Sequence, residues 1–276
     1  MARKRYLKNT PLKEAKELFL ERVDTPMPGE ETIQVTEARN RITAEPIFAR
    51  NSCPHYHGSA MDGVCVRAED TFGATEFSPK KFRLISPASN SESGFAYVDT
   101  GNAMPTWANA VIMIEKVRQL DHDTIEIFEA AVPWQHVRLV GEDVVATELL
   151  LPRAHLLRPY DLGALLAAGH VTVKVKSRPR VAIIPTGDEL IMPGIETPPG
   201  RITEFNSTVL AALIEDWGGV PVHLPCVGDE PSKLKQALGR AVAENHIVAI
   251  IAGSSAGEHD FTAQIVEEEG ELLVHG

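Results

Sequence analysis

Cysteine is scarce in this sequence, and its scarcity excludes two kinds of architecture. The three cysteines, Cys53, Cys65 and Cys226, are odd in number, widely spaced and free of any Cys-x-x-Cys pair. This spacing argues against a disulfide framework and a common zinc site, and it fits a reducing compartment. Cys53, His55 and His57 do alternate, but three ligands on five residues rarely close a metal site, so we interpret them as an ordinary loop.

Long apolar runs are also missing. No stretch of about 18 apolar residues occurs, so the sequence predicts no membrane span. The basic start, Met1 to Arg5, is not followed by the apolar core of a signal peptide. We therefore predict a cytoplasmic protein with no membrane partner.

Basic residues are outnumbered by acidic ones. Lys and Arg total 27 against 38 Asp and Glu, which gives a formal net charge of -11. Binding to nucleic acid needs a basic stripe, so we predict no nucleic-acid partner. An anionic small molecule would have to be held by backbone N–H groups, helix N-termini, a few Lys or Arg side chains, or a bound cation.

The chain is longer than one hydrophobic core usually organises, and its texture changes along its 276 residues. We predict four parts, a multidomain architecture of α/β plus mostly β structure. They are an N-terminal helix over residues 1–26, a linking domain over 27–50 and 140–177, a β-rich domain over 51–139, and an α/β domain over 178–276.

Short apolar runs separated by Gly, Pro, Ser, Asn and Asp fill residues 51–139 and predict a barrel or a sandwich. The runs are Gly63–Val66, Lys81–Ile85, Phe95–Val98, Ala110–Ile114 and Thr124–Phe128. In the linking domain, alternation predicts a strand at Thr32–Thr36 and another at Val171–Val175, with a helix at Pro159–Gly169 between them.

Apolar strands alternate with amphipathic helices from residue 178 onward. Val181–Ile184 is a continuous apolar run, typical of a strand buried on both faces. Asn206 is positioned to cap one helix and Pro231 to open the next, and two further strands are predicted at Val220–Val227 and Ile247–Ile251. This alternation predicts a doubly wound parallel α/β domain. Glu271–Gly276 is interpreted as a further strand cut at its end, so we predict an incomplete domain.

Ligands of parallel α/β domains bind beyond the carboxyl ends of the strands. Three segments occupy that place: Pro185–Leu190, Gly228–Glu230 and Ala252–Asp260. Small residues with bare backbone N–H groups suit a phosphate, and the carboxylates of Glu189, Asp229 and Asp260 suit a divalent cation beside it. The alternative is structural, with Asp229 and Asp260 each capping a helix and Glu189 simply exposed.

Three polar loops of the first half, Ser59–Gly63, Asp99–Asn102 and Arg138–Asp143, are turns by composition alone. The same loops carry a family resemblance. Ser59-Ala-Met-Asp-Gly63 is similar to the SAMDG sequence of molybdopterin molybdenumtransferases, the family of MoeA and the gephyrin E domain. Thr100-Gly101 with Ala110–Glu115 resembles TGxxxPxGADAVVxxE, Arg138–Val144 resembles RxxGEDI, Pro179–Leu190 resembles RPRVAIxSTGDEL, Gly200–Ser207 resembles GxIxDSNS, and Gly253–Phe261 resembles GGVSVGxxDF.

The resemblance covers nearly the whole chain and implies both architecture and activity. It implies an elongated homodimer in which the SAMDG and GED loops of one subunit share a cleft with the α/β domain of the other. It implies insertion of molybdate into the dithiolene of molybdopterin while adenylated molybdopterin is hydrolysed and AMP is released. The resemblance also implies that Mg²⁺ or another divalent cation assists this reaction. A non-catalytic molybdopterin-binding module of a longer fusion protein and a scaffold role are the alternatives.

Matching the motifs residue by residue implies the functional positions. The catalytic set is Asp62, Thr100, Asp143, Glu189, Asp229 and Asp260, of which Glu189, Asp229 and Asp260 also hold the metal. The binding set is Ser59, Met61, Gly63, Gly101, Arg138, Thr186, Gly187, Asp188, Asn206, Ser207, Gly253, Ser254, Ser255 and Gly257.

The sequence departs from the family pattern at five positions, Trp107, Asn109, Thr147, Gly228 and Ala252. Glycine is usual at 107 and 147, and at 252 a Cβ is added where backbone approaches ligand. The resemblance also implies that the family pattern continues past residue 276, into a lysine-containing KPGKP segment and a small fourth domain.

Overall fold

The computed structural model describes residues 10–22, 29–89, 93–252 and 261–274. Its helices are α1 (Leu12–Arg22), α2 (Ala68–Thr71), α3 (Pro159–Ala167), α4 (Asn206–Asp216), α5 (Pro231–Glu244) and α6 (Thr262–Glu269). Its strands are β1 (Glu30–Gln34), β2 (Ile47–Phe48), β3 (Gly58–Ser59), β4 (Gly63–Val66), β5 (Lys80–Arg83), β6 (Ala96–Val98), β7 (Ala110–Met113), β8 (Val117–Gln119), β9 (Thr124–Ile127), β10 (Val137–Arg138), β11 (Leu149–Leu151), β12 (Thr172–Lys176), β13 (Arg180–Pro185), β14 (Leu190–Ile191), β15 (Ile202–Thr203), β16 (Val220–His223) and β17 (Ile247–Ile251).

The chain divides into two compact units. The β-rich unit is Thr32–Val175, and the α/β unit combines Met1–Glu31 with Lys176–Gly276. No helix of the described ranges is both long enough and apolar enough to cross a bilayer.

Two three-stranded antiparallel sheets form the larger core of the β-rich unit, with orders β6-β4-β7 and β5-β9-β8. Alternate residues of β4, Val64 and Val66, pack with Phe82 of β5 and Ile125 of β9 in one cluster. The sheets therefore face each other as layers of a sandwich, because period-2 alternation turns every second side chain of a strand inward. Neither sheet closes into a barrel, and all five predicted strands are present.

A second core of the β-rich unit joins residues that are distant in sequence. Val35, Ala38 and Ile47 pack with a later group, Leu151, Leu157, Leu165, Val173 and Val175. The helix predicted at Pro159–Gly169 is α3, and the strand predicted at Val171–Val175 is β12. The strand predicted at Thr32–Thr36 ends earlier, because Val35–Glu37 turns into a 3₁₀ helix. Burial of Val35 in this core fixes that turn.

Asp161 holds the first turn of α3. Its buried carboxylate accepts the backbone N–H of Arg158 at 2.8 Å and the Arg158 guanidinium at 3.2 Å, and its Oδ2 lies 2.8 Å from His155 Nε2. The Arg158 guanidinium is the main cause that holds the pKa of Asp161 well below its ordinary value. The carboxylate thus satisfies a helix N-terminus and neutralises a nearby cation together.

We expect Asp161→Ala to lower the free energy of unfolding at pH 7 by about 1–3 kcal/mol. We expect a value in the lower part of this range, because the Arg158 side chain is mostly exposed and water screens its charge. A depressed folded pKa stabilises above the unfolded pKa of about 3.9, and that stabilisation is lost as the pH falls through the folded pKa. The difference in urea midpoint between the variant and the unmodified chain should therefore shrink below about pH 4. A difference that stays constant down to pH 2 would show that the charge contributes nothing.

The α/β unit is built on a parallel sheet of order β16-β13-β17. Ala182 and Ile184 of β13 pack against Leu234 and Leu238 of α5, whereas Val181 and Ile183 pack on the opposite face, where Ile214 of α4 lies. Helices cover both faces of the sheet, which confirms the predicted doubly wound arrangement.

Three local predictions in this unit differ from the structure. Asn206 is the first residue of α4 rather than its cap, and Phe205 occupies the cap position without a side-chain hydrogen bond. The carboxylate of Glu204 instead accepts the Ser207 N–H at 2.9 Å. β16 ends at His223, before the predicted Val227. Glu271–Val274 is not a strand, and His275 and Gly276 lie outside the described residues. A strand needs a neighbour for its backbone, which a short apolar run alone does not supply.

α1 spans Leu12–Arg22, inside the predicted helix, but its apolar stripe is not buried. Leu12 is 73% exposed and Phe19 54% exposed. Together with Ala15 and Leu20, Phe19 lines an open apolar groove that Val274 completes from the C-terminal part of the same unit. Val23, which continues the helical spacing of Leu12, Ala15 and Phe19 in the sequence, lies outside the described residues.

Candidate functional sites

Backbone hydrogen bonds join three loops of the β-rich unit. β10 pairs with β3, which sets Val137 opposite Ser59 and Arg138 opposite Gly58. The Ser59 N–H donates to the Asn102 carbonyl at 2.9 Å, and the Gly101 N–H donates to the Ser59 carbonyl at 2.8 Å. Residues 53–62, 99–104 and 134–144 therefore form one surface, the loop cluster. It carries every site residue predicted in this unit except Gly63, which is the first residue of β4.

Asp62 is the fixed carboxylate of the loop cluster. Its Oδ1 accepts the Thr100 N–H at 2.6 Å and the Thr100 hydroxyl at 2.8 Å. The Thr100 backbone N–H is the main cause that lowers the pKa of Asp62 below its ordinary value, and the hydroxyl adds to it. Asp62 is thus ionised and oriented while it stays exposed, as a group must be to meet a ligand.

Ser59, Met61 and Gly101 support this carboxylate. The buried Ser59 hydroxyl donates to the Met61 carbonyl at 2.6 Å, so it shapes the loop from within. Gly101 has φ of 89°, a left-handed conformation that favours glycine, and its carbonyl accepts the Tyr56 hydroxyl at 2.9 Å. Met61 is 40% exposed. Of these three, the Met61 side chain is the one open to a ligand.

Arg138 and Asp143 form an ion pair at the other side of the loop cluster. Arg138 Nη2 lies 2.7 and 2.8 Å from the two Asp143 oxygens, and Nε donates to Glu142 at 3.3 Å. Hydrogen bonding to Asp143 is the main cause that raises the pKa of Arg138. Nη1 takes part in none of these bonds, so it is the part of the guanidinium positioned to meet an anion.

The strand ends of the α/β unit bring the second group of predicted residues together. After β13, Thr186 donates its hydroxyl to the Ile251 carbonyl at 2.8 Å, and the Gly187 N–H donates to the Val227 carbonyl at 3.0 Å. Asp188 Oδ1 then accepts the Asp229 N–H at 3.3 Å. The segments that follow β13 and β16 therefore meet beside the end of β17 at one sheet edge, the place predicted for ligand-binding loops.

The negative charges of four carboxylates act on the Cys226 thiol at this edge. Burial raises the pKa of Cys226, and the negative charges of Glu204, Glu189, Asp188 and Asp229 raise it further. Two cations are near: Arg201 donates Nη1 to the Asp188 carbonyl, and Lys233 pairs with Glu230 at 2.7 Å. Hard oxygen donors with little cationic compensation are the chemistry that Mg²⁺ takes.

The donor set therefore fits a divalent cation in its chemistry. Over the described ranges no three His, Cys, Asp or Glu side chains converge closely enough to hold a metal. Glu189 and Asp229 lie at the same edge, while the third predicted ligand, Asp260, lies outside the described residues. The structural alternative for Asp229 is wrong, because the cap position of α5 is Glu230, and Glu189 is half-buried rather than freely exposed.

Asn206 and Ser207 begin α4. Asn206 is exposed, whereas the Ser207 side chain is buried and its hydroxyl has no hydrogen-bond partner among the described residues. A buried hydroxyl at a helix N-terminus without a partner is unusual. The remaining predicted binding residues, Gly253, Ser254, Ser255 and Gly257, lie outside the described residues.

Four of the five departures from the family pattern have a visible structural setting. Asn109 Oδ1 accepts the Ala68 N–H at 2.7 Å at the start of α2, and Trp107 Nε1 donates to the Pro87 carbonyl at 3.1 Å. A Cβ at Gly228 would lie 2.5 Å from Asp188 Oδ1. Thr147, where the family has glycine, has φ of 75°, the left-handed region that glycine tolerates best. Nothing in the described residues explains Ala252.

Sequence reasoning missed Glu204, His57 and Tyr56. Glu204 both accepts the Ser207 N–H and contributes charge at Cys226; an acidic residue three positions before Ser207 is the signal that could have found it. His57 accepts the Val140 N–H at Nδ1, and Tyr56 bonds Gly101. Neither contact follows from spacing, because each joins segments far apart in the chain.

Comparisons with known proteins show which class of protein this chain belongs to. Residues 10–169 match the family described as MoeA N-terminal region (domain I and II), and residues 182–276 match the family described as "Probable molybdopterin binding domain". The crystal structure of the molybdopterin biosynthesis MoeA protein from Pyrococcus horikosii superposes with a TM-score of 0.82 at 33% identity, over 98% of this chain and 69% of that one.

Curated relatives point the same way. A candidate molybdopterin biosynthesis protein of Methanocaldococcus jannaschii is 34% identical over 96% of this chain and 69% of its own length. The molybdopterin molybdenumtransferase of Nostoc is 33% identical over 87% of this chain and 57% of its own. The chain belongs to the MoeA family of molybdenum cofactor biosynthesis proteins, which confirms the motif-based resemblance. It spans between 57% and 69% of the lengths of these relatives.

Proposed function

We propose that this chain inserts molybdate into the dithiolene of molybdopterin, hydrolysing adenylated molybdopterin and releasing AMP. The observation that carries the proposal is Asp62, an ionised carboxylate fixed by two hydrogen bonds from Thr100 inside the loop cluster. The names of the curated transferases support the reaction class. Substrates are adenylated molybdopterin and molybdate.

The two groups of residues divide the work in this proposal. In the loop cluster, Arg138 Nη1 meets an anionic group of the substrate, and Asp62, Thr100 and Asp143 orient the reacting end. In the α/β unit, the Thr186–Glu189 segment and the start of α4, with its buried Ser207 hydroxyl, bind the phosphate-bearing part. A preorganised polar surface of this kind lowers the barrier because it need not rearrange during the reaction.

A divalent cation, Mg²⁺ in our proposal, is held by Glu189 and Asp229, with Asp260 as a third ligand. When bound it neutralises charge on the phosphate and offsets the carboxylates around Cys226. We also propose that the protein acts as a homodimer in the cytoplasm. The cation and the homodimer are proposed from the family resemblance, and the crowding of carboxylates at one sheet edge also supports the cation.

AMP release tests the proposed reaction. The chain is incubated anaerobically with adenylated molybdopterin and Mg²⁺, with and without molybdate, and AMP is quantified by chromatography. We expect AMP to appear only when molybdate is present, because hydrolysis is coupled to insertion. Binding without AMP release under every condition would overturn the proposal and leave a binding module.

The metal proposal makes a separate prediction. Asp229→Asn should raise the Mg²⁺ concentration needed for half-maximal AMP release by at least about tenfold, since a charged oxygen ligand is lost. Glu196→Gln is the matched control, because Glu196 is an exposed carboxylate of the same unit outside the strand-end loops. Equal Mg²⁺ dependence of both variants would contradict the assignment of Asp229.

A further inference from the structure

His57 lies where the three segments of the loop cluster meet. Its carbonyl accepts the Met104 N–H at 2.8 Å, and its imidazole Nδ1 accepts the Val140 N–H at 3.2 Å. The next residue, Gly58, pairs with both Ala103 and Arg138. A single residue therefore contacts the 99–104 turn through its backbone and the 134–144 segment through its side chain.

The backbone donors of residues 139–144 show what the imidazole contributes. The N–H groups of Gly141, Asp143 and Val144 donate to the carbonyls of Pro54 and Cys53. Those of residues 139 and 142 bond within the turn itself. The sixth donor, Val140, is satisfied by His57. The other five donors bond to backbone carbonyls or to residues of the turn itself. His57 is therefore the one side chain from outside the turn that accepts from it, and it can be removed by substitution.

This turn connects the two halves of the Arg138–Asp143 pair. Arg138 precedes it in β10, and Asp143 follows it. The position of the turn therefore sets the distance between the guanidinium and the carboxylate. Because Nδ1 accepts this bond, its lone pair must be free in this arrangement. The ring also lies 5.0 Å from the Trp134 ring, centroid to centroid, which limits its rotation.

We propose that His57 is a positioning residue, whose Nδ1 lone pair holds the 139–142 turn and thereby orients Arg138 toward an anionic substrate. The inference deepens the proposed function and rests on it for the identity of the substrate. His57 itself touches no reacting atom. The acceptor atom, rather than the bulk of the ring, is what the position requires.

Two substitutions separate the acceptor from the ring. His57→Phe keeps an aromatic ring against Trp134 but removes the acceptor. His57→Asn loses the ring but can offer its amide oxygen near the place of Nδ1. His55→Phe is the matched control, since His55 belongs to the same loop and packs edge-on against Tyr56 at 4.9 Å without accepting from the 134–144 segment.

The first readout is the exchange rate of the Val140 amide in the full chain, followed by NMR. We expect His57→Phe to speed this exchange by about tenfold, the effect of losing one hydrogen bond, while His57→Asn and His55→Phe leave it near the unmodified rate. An unchanged rate in His57→Phe would overturn the proposal, because the bond would then hold nothing.

The second readout is the dissociation constant of adenylated molybdopterin, measured by calorimetry without molybdate so that no turnover occurs. We expect about a tenfold weakening in His57→Phe and rescue in His57→Asn. Faster amide exchange with unchanged affinity, or equal weakening in both variants, would overturn the positioning role. If the chain binds but never releases AMP, the proposed reaction fails while the role of His57 stands.

Discussion

Gly63→Ala is expected to unfold the β-rich unit or to weaken it severely. Gly63 is buried at the start of β4 and pairs directly with Met113 of β7. A Cβ placed there would lie 2.0 Å from the Ile112 carbonyl oxygen and 2.9 Å from its carbon. These are backbone atoms of the paired strand, so relief requires the two strands to separate. We expect a loss of about 3 kcal/mol or more in the free energy of unfolding.

A matched substitution in the same unit controls for the change of residue type. Gly163 lies inside α3, and a Cβ there would meet nothing within 4 Å. Gly163→Ala should stabilise the chain by about 0.5–1 kcal/mol, because alanine favours the helix. Urea unfolding of both variants, followed by circular dichroism, measures the difference. Equal midpoints would show that the β4–β7 contact is looser than the structure indicates. The motif glycine would then owe its place to ligand approach, as the family resemblance implied.

Asp62→Asn is expected to produce the largest loss of activity. Asparagine keeps an oxygen that accepts from Thr100 but removes the negative charge, which the two Thr100 donors hold in place. We expect AMP release to fall by about 100-fold or more, the scale seen when an acid–base or electrostatic group is removed. Stability should change by less than about 1 kcal/mol because the side chain lies on an exposed loop.

Asp121→Asn provides a close control for this variant. Asp121 is likewise an exposed aspartate, its carboxylate accepts the Asp123 N–H at 2.9 Å, and its pKa is likewise lowered, chiefly by that bond. It lies between β8 and β9, outside the loop cluster. We expect Asp121→Asn to retain full AMP release. Loss of activity in both variants, or in neither, would contradict the assignment of Asp62.

Prediction from the sequence succeeded best where burial requires a regular run or spacing of apolar residues. The continuous apolar run at Val181–Ile184 became the central strand β13, since both of its faces are covered by helices. Pro231 opens α5, and Gly218, with φ of 86°, follows the end of α4, as their backbone preferences require. Such positions are determined by local chemistry.

Prediction failed where the outcome depends on a distant partner. Leu272, Leu273 and Val274 form a short apolar run like that of a strand, yet strand formation depends on a neighbouring backbone. Asn206 is a good helix cap by type, yet Glu204 takes the N–H that would need one. Composition alone interpreted Ser59–Gly63 and Arg138–Asp143 as separate turns, and only the pairing of β3 with β10 brings them together. The family motifs identified these loops because they reflect a shared site rather than local structure.

Hydrogen exchange on binding of adenylated molybdopterin, read by mass spectrometry in the presence of Mg²⁺ and without molybdate, tests the central claim most directly. The claim is that the loop cluster of the β-rich unit and the strand-end loops of the α/β unit both contact the substrate. We expect slower exchange in peptides covering residues 57–63, 99–104 and 138–144, and in those covering 186–190 and 226–230. Protection confined to one unit, or appearing instead along α1 and residues 271–274, would contradict it.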